Sequence, residues 1–244
     1  MTVTIHLEDP DFVIVEKPVG ISTQPLSSRR GMARHSAAVP PRDAPTLAHQ
    51  VSASFPEIQS VGGSDWGAVH RLDRETSGLV VFARNQKAYE ALRRAFSKNE
   101  VEKEYAALVE GEIQQAGTIN WPIGPDPKSD KRVKVYRNVA EARRMKAQEA
   151  VTIYMPVGAN LVFAPSTLLR VTIKSGRRHQ IRAHLAALGH PIIGDEVYGS
   201  PQAGRTQGSP LRLHLHASRL RFRHPRTDLR VEASSPASFS EAPV

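Results

Sequence analysis

The stretch His70-Arg71-Leu72-Asp73-Arg74-Glu75-Thr76-Ser77-Gly78 leads directly into the apolar segment Leu79-Val80-Val81-Phe82-Ala83. The apolar run predicts a buried strand, and the polar residues before it predict the loop that enters this strand. Asp73 lies in that loop between basic neighbours, and nearby positive charge favours the ionised form of a carboxylate. An ionised carboxylate at the edge of a strand can act as a nucleophile, an electrostatic stabiliser or a general base. An aspartate that only caps its own turn would give the same local pattern.

Hydrophobic periodicity predicts a chain with more strands than helices. Strands are predicted at residues 12–15, 79–83, 103–110 and 168–174, and helices at 86–98 and 177–188. Neighbouring strands are expected to be antiparallel, so the predicted fold class is α+β with a mixed, largely antiparallel sheet. One domain is predicted over residues 1–232, with a mobile basic loop inserted at 22–46 and a disordered tail at 233–244.

The composition excludes several classes of protein. The 244 residues include 33 Lys and Arg against 24 Asp and Glu, and the net charge of +9 with a pI near 10.1 favours a polyanionic partner such as nucleic acid or an acidic membrane surface. The chain has no cysteine, which rules out disulfides, thiolate nucleophiles and cysteine-ligated metals. Neither a signal peptide nor an apolar run of membrane-spanning length is recognisable, so the predicted location is the cytoplasm.

Five segments, in this order along the chain, resemble the motifs of the RluA-type family of RNA pseudouridine synthases. They are Glu16-Lys17-Pro18-Val19-Gly20, residues 70–85 with the sequence HRLDRETSGLVVFARN, residues 101–111 with VEKEYAALVEG, residues 175–185 with SGRRHQIRAHL, and residues 189–199 with GHPIIGDEVYG. Five ordered matches are much more specific than one short motif. The resemblance implies the pseudouridine synthase catalytic fold, with flanking helices and loops and an active-site cleft across the sheet.

The resemblance also implies a reaction. A uridine is isomerised to pseudouridine when its N1–C1′ bond is broken, the uracil turns, a C5–C1′ bond forms and the C5 proton leaves. No redox step is needed, and the chain shows no dinucleotide fingerprint, no P-loop and no metal-ligand cluster in its sequence. We therefore expect no cofactor and no metal. His179 and His184, for example, are five residues apart, which is not the i,i+4 spacing of two ligands on one helix face.

Three residues are assigned to catalysis on this resemblance. Asp73 is expected to drive glycosidic cleavage by attacking C1′, by attacking the base or by assisting a glycal route. Tyr105 is expected to stack on the flipped uracil or to act as a general base, although a half-buried strand tyrosine fits the same position. Arg182 is expected to pair with Asp73, and on a helix it would share one face with Arg178 at i,i+4 spacing. The alternative is a solvated basic helix face.

Ten further residues are predicted to contact RNA. They are His70, Arg71, Arg74, Lys103, Lys131, Arg132, Lys134, Arg178, His179 and Gln180. Arg71 is expected to fill the gap that a flipped base leaves in a stem, because a planar guanidinium can stack and hydrogen-bond there. Pairing with Glu75 is the alternative for Arg71. The basic stretch 125–146 resembles a loop that clamps RNA in this family.

Two rival functions are open at this point. A catalytically silent RNA-binding protein could use the same scaffold, but Asp73, Tyr105 and Arg182 are all present. A carboxylate-dependent hydrolase that uses Asp73 and Glu75 would leave the tyrosine and HQIR matches unexplained. The sequence does not distinguish ribosomal from transfer RNA, or one target uridine from several. A monomer without an obligate protein partner is expected.

Overall fold

The computed structural model describes residues 3–25, 45–159, 165–199 and 212–239. These residues form two compact units. Unit 1 consists of the chain up to Lys98 together with Arg223–Ala233, and unit 2 consists of Asn99–Phe222 together with the residues from Ser234 onward. Most of the predicted basic loop, over residues 26–44, lies outside the described residues.

Unit 1 is built on three antiparallel strands. Its elements are β1 (Thr4–Glu8), β2 (Phe12–Lys17), α1 (Leu47–Ser52), two 3₁₀ helices (Pro56–Ser60 and Gly63–Asp65), β3 (Ser77–Ala83) and α2 (Gln86–Ser97). The strand order is β1-β2-β3, and Lys17 at the end of β2 lies opposite Gly78 at the start of β3. β2 and β3 are almost entirely buried because both are apolar over most of their length. The turn after β2 and the Asp73 loop before β3 therefore lie side by side.

Unit 2 contains a larger antiparallel arrangement. The elements that follow in the chain are β4 (Glu102–Glu110), β5 (Gly117–Ile119), β6 (Ile123–Asp126), β7 (Ser129–Val135), α3 (Val139–Arg144), β8 (Thr152–Ala159), β9 (Ser166–Ile173), α4 (Gln180–Leu188) and β10 (Leu215–Arg223). A last strand, β11 (Arg230–Ser234), comes near the end of the chain and belongs to unit 1 except for its last residue. The order β10-β4-β9-β8-β5 is antiparallel at every step, and β6 pairs with β7 in a separate hairpin.

β4 brings two polar residues into the interior of unit 2. Its residue Tyr105 lies opposite Val171 on β9 and Ala217 on β10, so the strand is hydrogen-bonded along both edges. Side chains two residues apart on a strand point to the same face. Lys103 and Tyr105 therefore share a face of β4, and both are buried. A strand paired on both sides is a rigid support for the groups that it carries.

The predicted α+β fold with a mixed, largely antiparallel sheet is confirmed. The predicted strands and the helix at 86–98 match the observed elements to within about two residues at each end, which is the usual uncertainty of such bounds. The helix predicted from Arg177 begins later, at Gln180, because His179 adopts a left-handed φ of +52°. Among the described residues, no helix has the length and apolar character needed to cross a membrane.

The prediction of a disordered tail from residue 233 does not fit the residues that are described up to 239. The Ser235 amide donates to the Ser218 carbonyl at 2.8 Å, and the Ser235 hydroxyl lies 3.1 Å from Nε2 of His216. Ala237 is only 1% exposed. Small alanine and serine side chains fit against a strand without an aliphatic period, so periodicity alone misses this segment.

Candidate active site

Lys17 is the buried anchor of the loop that carries Asp73. Its side chain is fully buried, and Nζ donates to the carbonyl oxygens of Pro18 at 2.8 Å, Ile21 at 3.0 Å and Arg74 at 2.9 Å. Burial lowers the pKa of Lys17 from 10.5 to about 8, while the carboxylates of the Asp73 loop act in the opposite direction. One buried cation thus ties the turn after β2 to the residue that follows Asp73.

Thr23 and Gly20 hold the backbone of the same loop. The Thr23 hydroxyl accepts from the Leu72 amide at 3.2 Å and donates to the Leu72 carbonyl at 3.3 Å. The Gly20 amide donates to the Arg74 carbonyl at 2.9 Å, and the Gly20 carbonyl accepts from Nε of Arg74 at 2.7 Å. Gly20 adopts a φ of +87°, a conformation that favours glycine. The backbone is therefore fixed immediately before and immediately after Asp73, which is half-buried.

His70 fixes the start of the loop within unit 1. Its Nε2 accepts from the Val81 amide on β3 at 3.1 Å, and its ring stacks on Phe96 of α2 with centroids 4.4 Å apart. Because Nε2 is an acceptor, a neutral His70 carries its proton on Nδ1. His70 thus has a structural role, and the RNA contacts predicted for it and for the exposed Arg71 stay predictions.

Lys103 and Tyr105 lie inside unit 2. Lys103 is 6% exposed and Tyr105 is 8% exposed. Burial lowers the pKa of Lys103, as expected for an ammonium group removed from water. Lys103 is thus a buried ammonium group, and the RNA contact predicted for it stays a prediction. The catalytic role of Tyr105 stays a prediction.

Arg182 is held by a buried counter-charge, Asp195. Nε and Nη2 of Arg182 donate to the two carboxylate oxygens of Asp195, each at 2.8 Å, and both side chains are almost completely buried. Oδ1 of Asp195 also accepts from the amides of Val197 and Tyr198. Burial raises the pKa of Asp195, but the hydrogen bonds and charge of Arg182 outweigh burial, so the net pKa is lowered. A bidentate pair fixes the plane of the guanidinium group; the predicted pairing of Arg182 with Asp73 stays a prediction.

Arg178 and Arg182 do not form the predicted pair on one helix face. α4 begins at Gln180, and the left-handed backbone of His179 turns the chain before it. Arg178 is exposed and its Nη2 donates to the Lys131 carbonyl at 2.8 Å. Arg182 is only 5% exposed. The two guanidinium groups therefore support different parts of unit 2.

Gln180 is buried, and its amide is used inside the protein. Oε1 accepts from the Ser175 hydroxyl at 2.9 Å and from the Arg177 amide at 3.1 Å. Nε2 donates to the Val151 carbonyl at 3.0 Å and to the Thr152 hydroxyl at 3.1 Å. The RNA contact predicted for Gln180 does not fit these bonds. Gln180 instead joins the start of α4 to the start of β8.

The β6–β7 hairpin carries three of the cations predicted to contact RNA. Nε of Arg132 pairs with Asp126 at 2.5 Å, and Nζ of Lys134 pairs with Glu141 at 2.7 Å. The hydrogen bond to Glu141 raises the pKa of Lys134. Lys131 is exposed, and no carboxylate pairs with it within the described part of the chain. The hairpin therefore presents one uncompensated and two partly compensated positive charges to solvent.

One group of potential metal ligands occurs among the described residues, at Asp9, Asp11 and His224 in unit 1. Nε of Arg226 pairs with Asp11 at 2.8 Å, and Nε2 of His224 lies 3.2 Å from Asp9. The hydrogen bond from Arg226 lowers the pKa of Asp11. An internal ion-pair network accounts for this group.

Three residues that position the candidate groups have no role predicted from the sequence. They are Lys17, Thr23 and Asp195. Lys17 and Asp195 lie in segments that carry the family resemblance, but nothing local indicates that the lysine is buried or that the aspartate faces an arginine 13 residues earlier. Thr23 lies in the segment interpreted as a mobile loop. Its neighbourhood is ordered, because the Leu47 amide of α1 donates to the Ser22 carbonyl at 2.9 Å.

Comparison with known proteins adds to this geometry. Residues 11–187 match the sequence profile of the family described as RNA pseudouridylate synthase. The chain is 36% identical over 236 residues to an uncharacterized RNA pseudouridine synthase of Mycobacterium bovis, a match that covers 96% of this chain and 68% of the relative. It is 39% identical over 173 residues to the dual-specificity RNA pseudouridine synthase RluA of Pasteurella multocida, a match that covers 70% of this chain and 73% of the relative.

A solved structure is also similar. Human RNA Pseudouridylate Synthase Domain Containing 1 has a TM-score of 0.73 and 27% identity, and the match covers 96% of this chain and 83% of the human one. The matches with curated relatives cover between 56% and 73% of the relatives' own length.

Proposed function

The chain belongs to the RNA pseudouridylate synthase family, and from this premise we propose that it isomerises uridines in structured ribosomal or transfer RNA to pseudouridine. The target base flips out of its stem, the N1–C1′ bond breaks, the uracil turns, C5 bonds to C1′ and the C5 proton leaves. The C5 proton passes to solvent and N1 takes up a proton from solvent, so the composition of the nucleotide does not change. No oxidant, reductant or cofactor is consumed.

The construction of the Asp73 loop is the observation that carries this proposal. Lys17 and Thr23 hold the backbone on both sides of Asp73 through groups that are themselves buried. A carboxylate placed in advance of the reaction stabilises positive charge that develops on the ribose C1′, as it does in glycoside hydrolysis. A turn aspartate with no chemical task would not require a buried lysine to hold its neighbour.

The other predicted residues take the roles that the family resemblance implies. Tyr105 stacks on the flipped uracil or accepts a proton, from the interior of a strand paired on both sides. Arg182, oriented by Asp195, keeps Asp73 ionised. Asp73 acts on C1′, on the base or through a glycal route. The exposed Arg71 fills the vacated position in the RNA stem.

RNA binding in this proposal depends on the basic β6–β7 hairpin and on the loops of the protein itself. The sequence expectations of a monomeric, cytoplasmic protein without an obligate partner belong to the same proposal.

Tritium release tests the proposal. RNA labelled at uracil C5 is prepared from cells that lack this protein and is incubated with the native chain, Asp73→Asn or Tyr105→Phe. We expect release with the native chain and a loss of about 10²–10⁴-fold or more in Asp73→Asn, because its amide cannot carry the negative charge. Tyr105→Phe should slow release while RNA affinity changes little.

Two outcomes would contradict the proposal. Free uracil or cleaved RNA would identify a carboxylate-dependent hydrolase. Equal RNA binding by the native chain and Asp73→Asn without release from RNA shown to contain unmodified targets would identify a silent RNA-binding protein.

A further inference from the structure

Two hydrogen bonds attach the β6–β7 hairpin to the region around α4 in unit 2. Nη2 of Arg178 donates to the Lys131 carbonyl at 2.8 Å, and the Val133 amide donates to the Tyr198 hydroxyl at 2.8 Å. Both bonds involve the backbone of β7, the strand that carries the exposed cations. The position of β7 is therefore linked to side chains outside the hairpin.

Tyr198 has a second set of contacts that leads to Arg182. Its amide donates to Oδ1 of Asp195 at 3.0 Å, and Asp195 holds the guanidinium of Arg182 at 2.8 Å through two bonds. Cζ of Arg182 also lies 5.5 Å from the centroid of the Tyr198 ring. One residue thus contacts both the hairpin backbone and the ion pair that orients Arg182.

The hydroxyl of Tyr198 is suited to this position. It accepts from the Val133 amide and lies 3.1 Å from Nδ1 of His179, to which it can donate its own proton. Burial raises the pKa of Tyr198 to about 12, so the hydroxyl keeps this proton at neutral pH. The Tyr198 hydroxyl therefore has one partner that donates to it and one that can accept from it, and both lie in unit 2.

From these contacts we infer that Tyr198 is a positioning residue that couples the engagement of RNA by the β6–β7 hairpin to the orientation of Arg182. The inference rests on the proposed function, since it concerns RNA binding and the arginine of the same site. RNA that holds the hairpin in its docked position stabilises the Val133–Tyr198 bond, and this bond keeps the Tyr198 ring and the Asp195 carboxylate in place around Arg182. RNA too short to reach the hairpin lacks this effect.

Tyr198→Phe tests the coupling because it removes only the hydroxyl oxygen. Hydrogen exchange of the Val133 amide is measured without RNA, and single-turnover isomerisation is measured with a full-length target RNA and with a shortened RNA. The shortened RNA is trimmed until Lys131→Ala no longer changes its affinity. Tyr154→Phe, which removes one hydroxyl oxygen from β8, is the matched control.

We expect faster exchange at Val133 in Tyr198→Phe and a single-turnover rate on the full-length RNA that is lower by about 2- to 10-fold, the effect of one hydrogen bond. The affinity for that RNA should change less than about twofold, and the rate on the shortened RNA should be unchanged. Tyr154→Phe should match the native chain in all three measurements. A purely structural defect would instead slow both RNAs equally.

The outcomes separate this inference from the proposed function. An active native chain whose rates are unaffected by Tyr198→Phe, or are reduced equally on both RNAs, overturns the coupling. A native chain that binds RNA but forms no pseudouridine overturns the proposed function, and the coupling with it. Faster exchange at Val133 combined with a rate loss confined to the full-length RNA supports the coupling.

Discussion

The Asp73 loop and the Arg182 region hold their candidate catalytic groups in different ways. In unit 1 the backbone beside Asp73 is held by Lys17 and Thr23, which bond to peptide groups. In unit 2 the side chain of Arg182 is itself held, by the opposite charge of Asp195. The first arrangement fixes where a loop runs, and the second fixes how one guanidinium group is oriented.

This difference predicts different sensitivities to mutation. Removing one partner of a buried ion pair leaves an uncompensated charge, which destabilises a protein by about 3–5 kcal/mol. Losing one hydrogen bond to the backbone costs about 0.5–1.5 kcal/mol, and the rest of the loop keeps its other bonds. Disruption in unit 2 should therefore appear first as instability, and disruption in unit 1 as slower chemistry.

Asp195→Ala should have the largest effect on stability. We expect the free energy of unfolding to fall by about 3–5 kcal/mol, because Arg182 keeps its charge in a buried position and loses both hydrogen bonds to the Asp195 carboxylate. Urea denaturation measures this change. Glu196→Ala, at the adjacent exposed position, is the control and should change the free energy of unfolding by less than about 0.5 kcal/mol.

The free energy of unfolding measured at decreasing pH gives a second test of the Asp195–Arg182 pair. Because the pKa of Asp195 is lower in the folded chain than in the unfolded one, its contribution is fully present above the ordinary pKa of about 3.9 and is lost as the pH falls through the lower folded value. The free energy of unfolding of Asp195→Asn should lack the decrease at acid pH that protonation of Asp195 causes in the native chain. An acid limb identical to that of the native chain would contradict the assignment.

Lys17→Gln should have a smaller effect than Asp195→Ala and should act mainly on the single-turnover rate of isomerisation. When the pH rises through about 8, Lys17 loses its proton and a neutral amine offers only two N–H groups to three carbonyls. We expect the native single-turnover rate to fall by about 2- to 10-fold as the pH rises past this value. Lys17→Gln should be slower at neutral pH and should lack this fall.

The contribution of Lys17 to the free energy of unfolding changes with pH in the direction opposite to the reaction rate. Its pKa is about 8 in the folded chain and 10.5 ordinarily, so the unfolded state binds more protons between these values and the free energy of unfolding from this group rises with pH. Lys87→Gln, at an exposed position on α2, is the matched control and should keep the native rate profile. A Lys17→Gln profile parallel to the native one would show that Lys17 does not position the loop.

Substitutions of the β6–β7 hairpin cations should give the smallest effect, and this effect should be on RNA affinity. The logarithm of RNA affinity should fall linearly with the logarithm of salt concentration, and Lys131→Ala should reduce that slope by about 0.7–0.9. Arg132→Ala should reduce it less, because Asp126 already compensates Arg132 at 2.5 Å. Equal slopes for the native chain and Lys131→Ala would exclude a phosphate contact at Lys131.

The strands were the most predictable part of the fold. β3 is a continuous apolar run and β9 carries apolar residues at alternate positions, and burial of those residues decides the structure locally. The start of α4 was not predictable from the pattern, because the left-handed conformation of His179 depends on neighbouring elements. The internal hydrogen bonds of Gln180 were not predictable for a related reason, since its partners at Val151 and Thr152 come from a distant part of the chain.

Periodicity and ordered local motifs were enough to predict the fold class and the family from the amino-acid sequence. The family resemblance also nominates Asp73, Tyr105 and Arg182 as catalytic candidates. The burial of Lys17 and the pairing of Asp195 with Arg182 are visible only in the folded chain. Burial and ion pairing depend on which residues lie close together in the folded chain, and these residues are often far apart in the sequence. A lysine or an aspartate has the same letters in the sequence whether it is solvated or enclosed, and only folding brings its partner within hydrogen-bond distance.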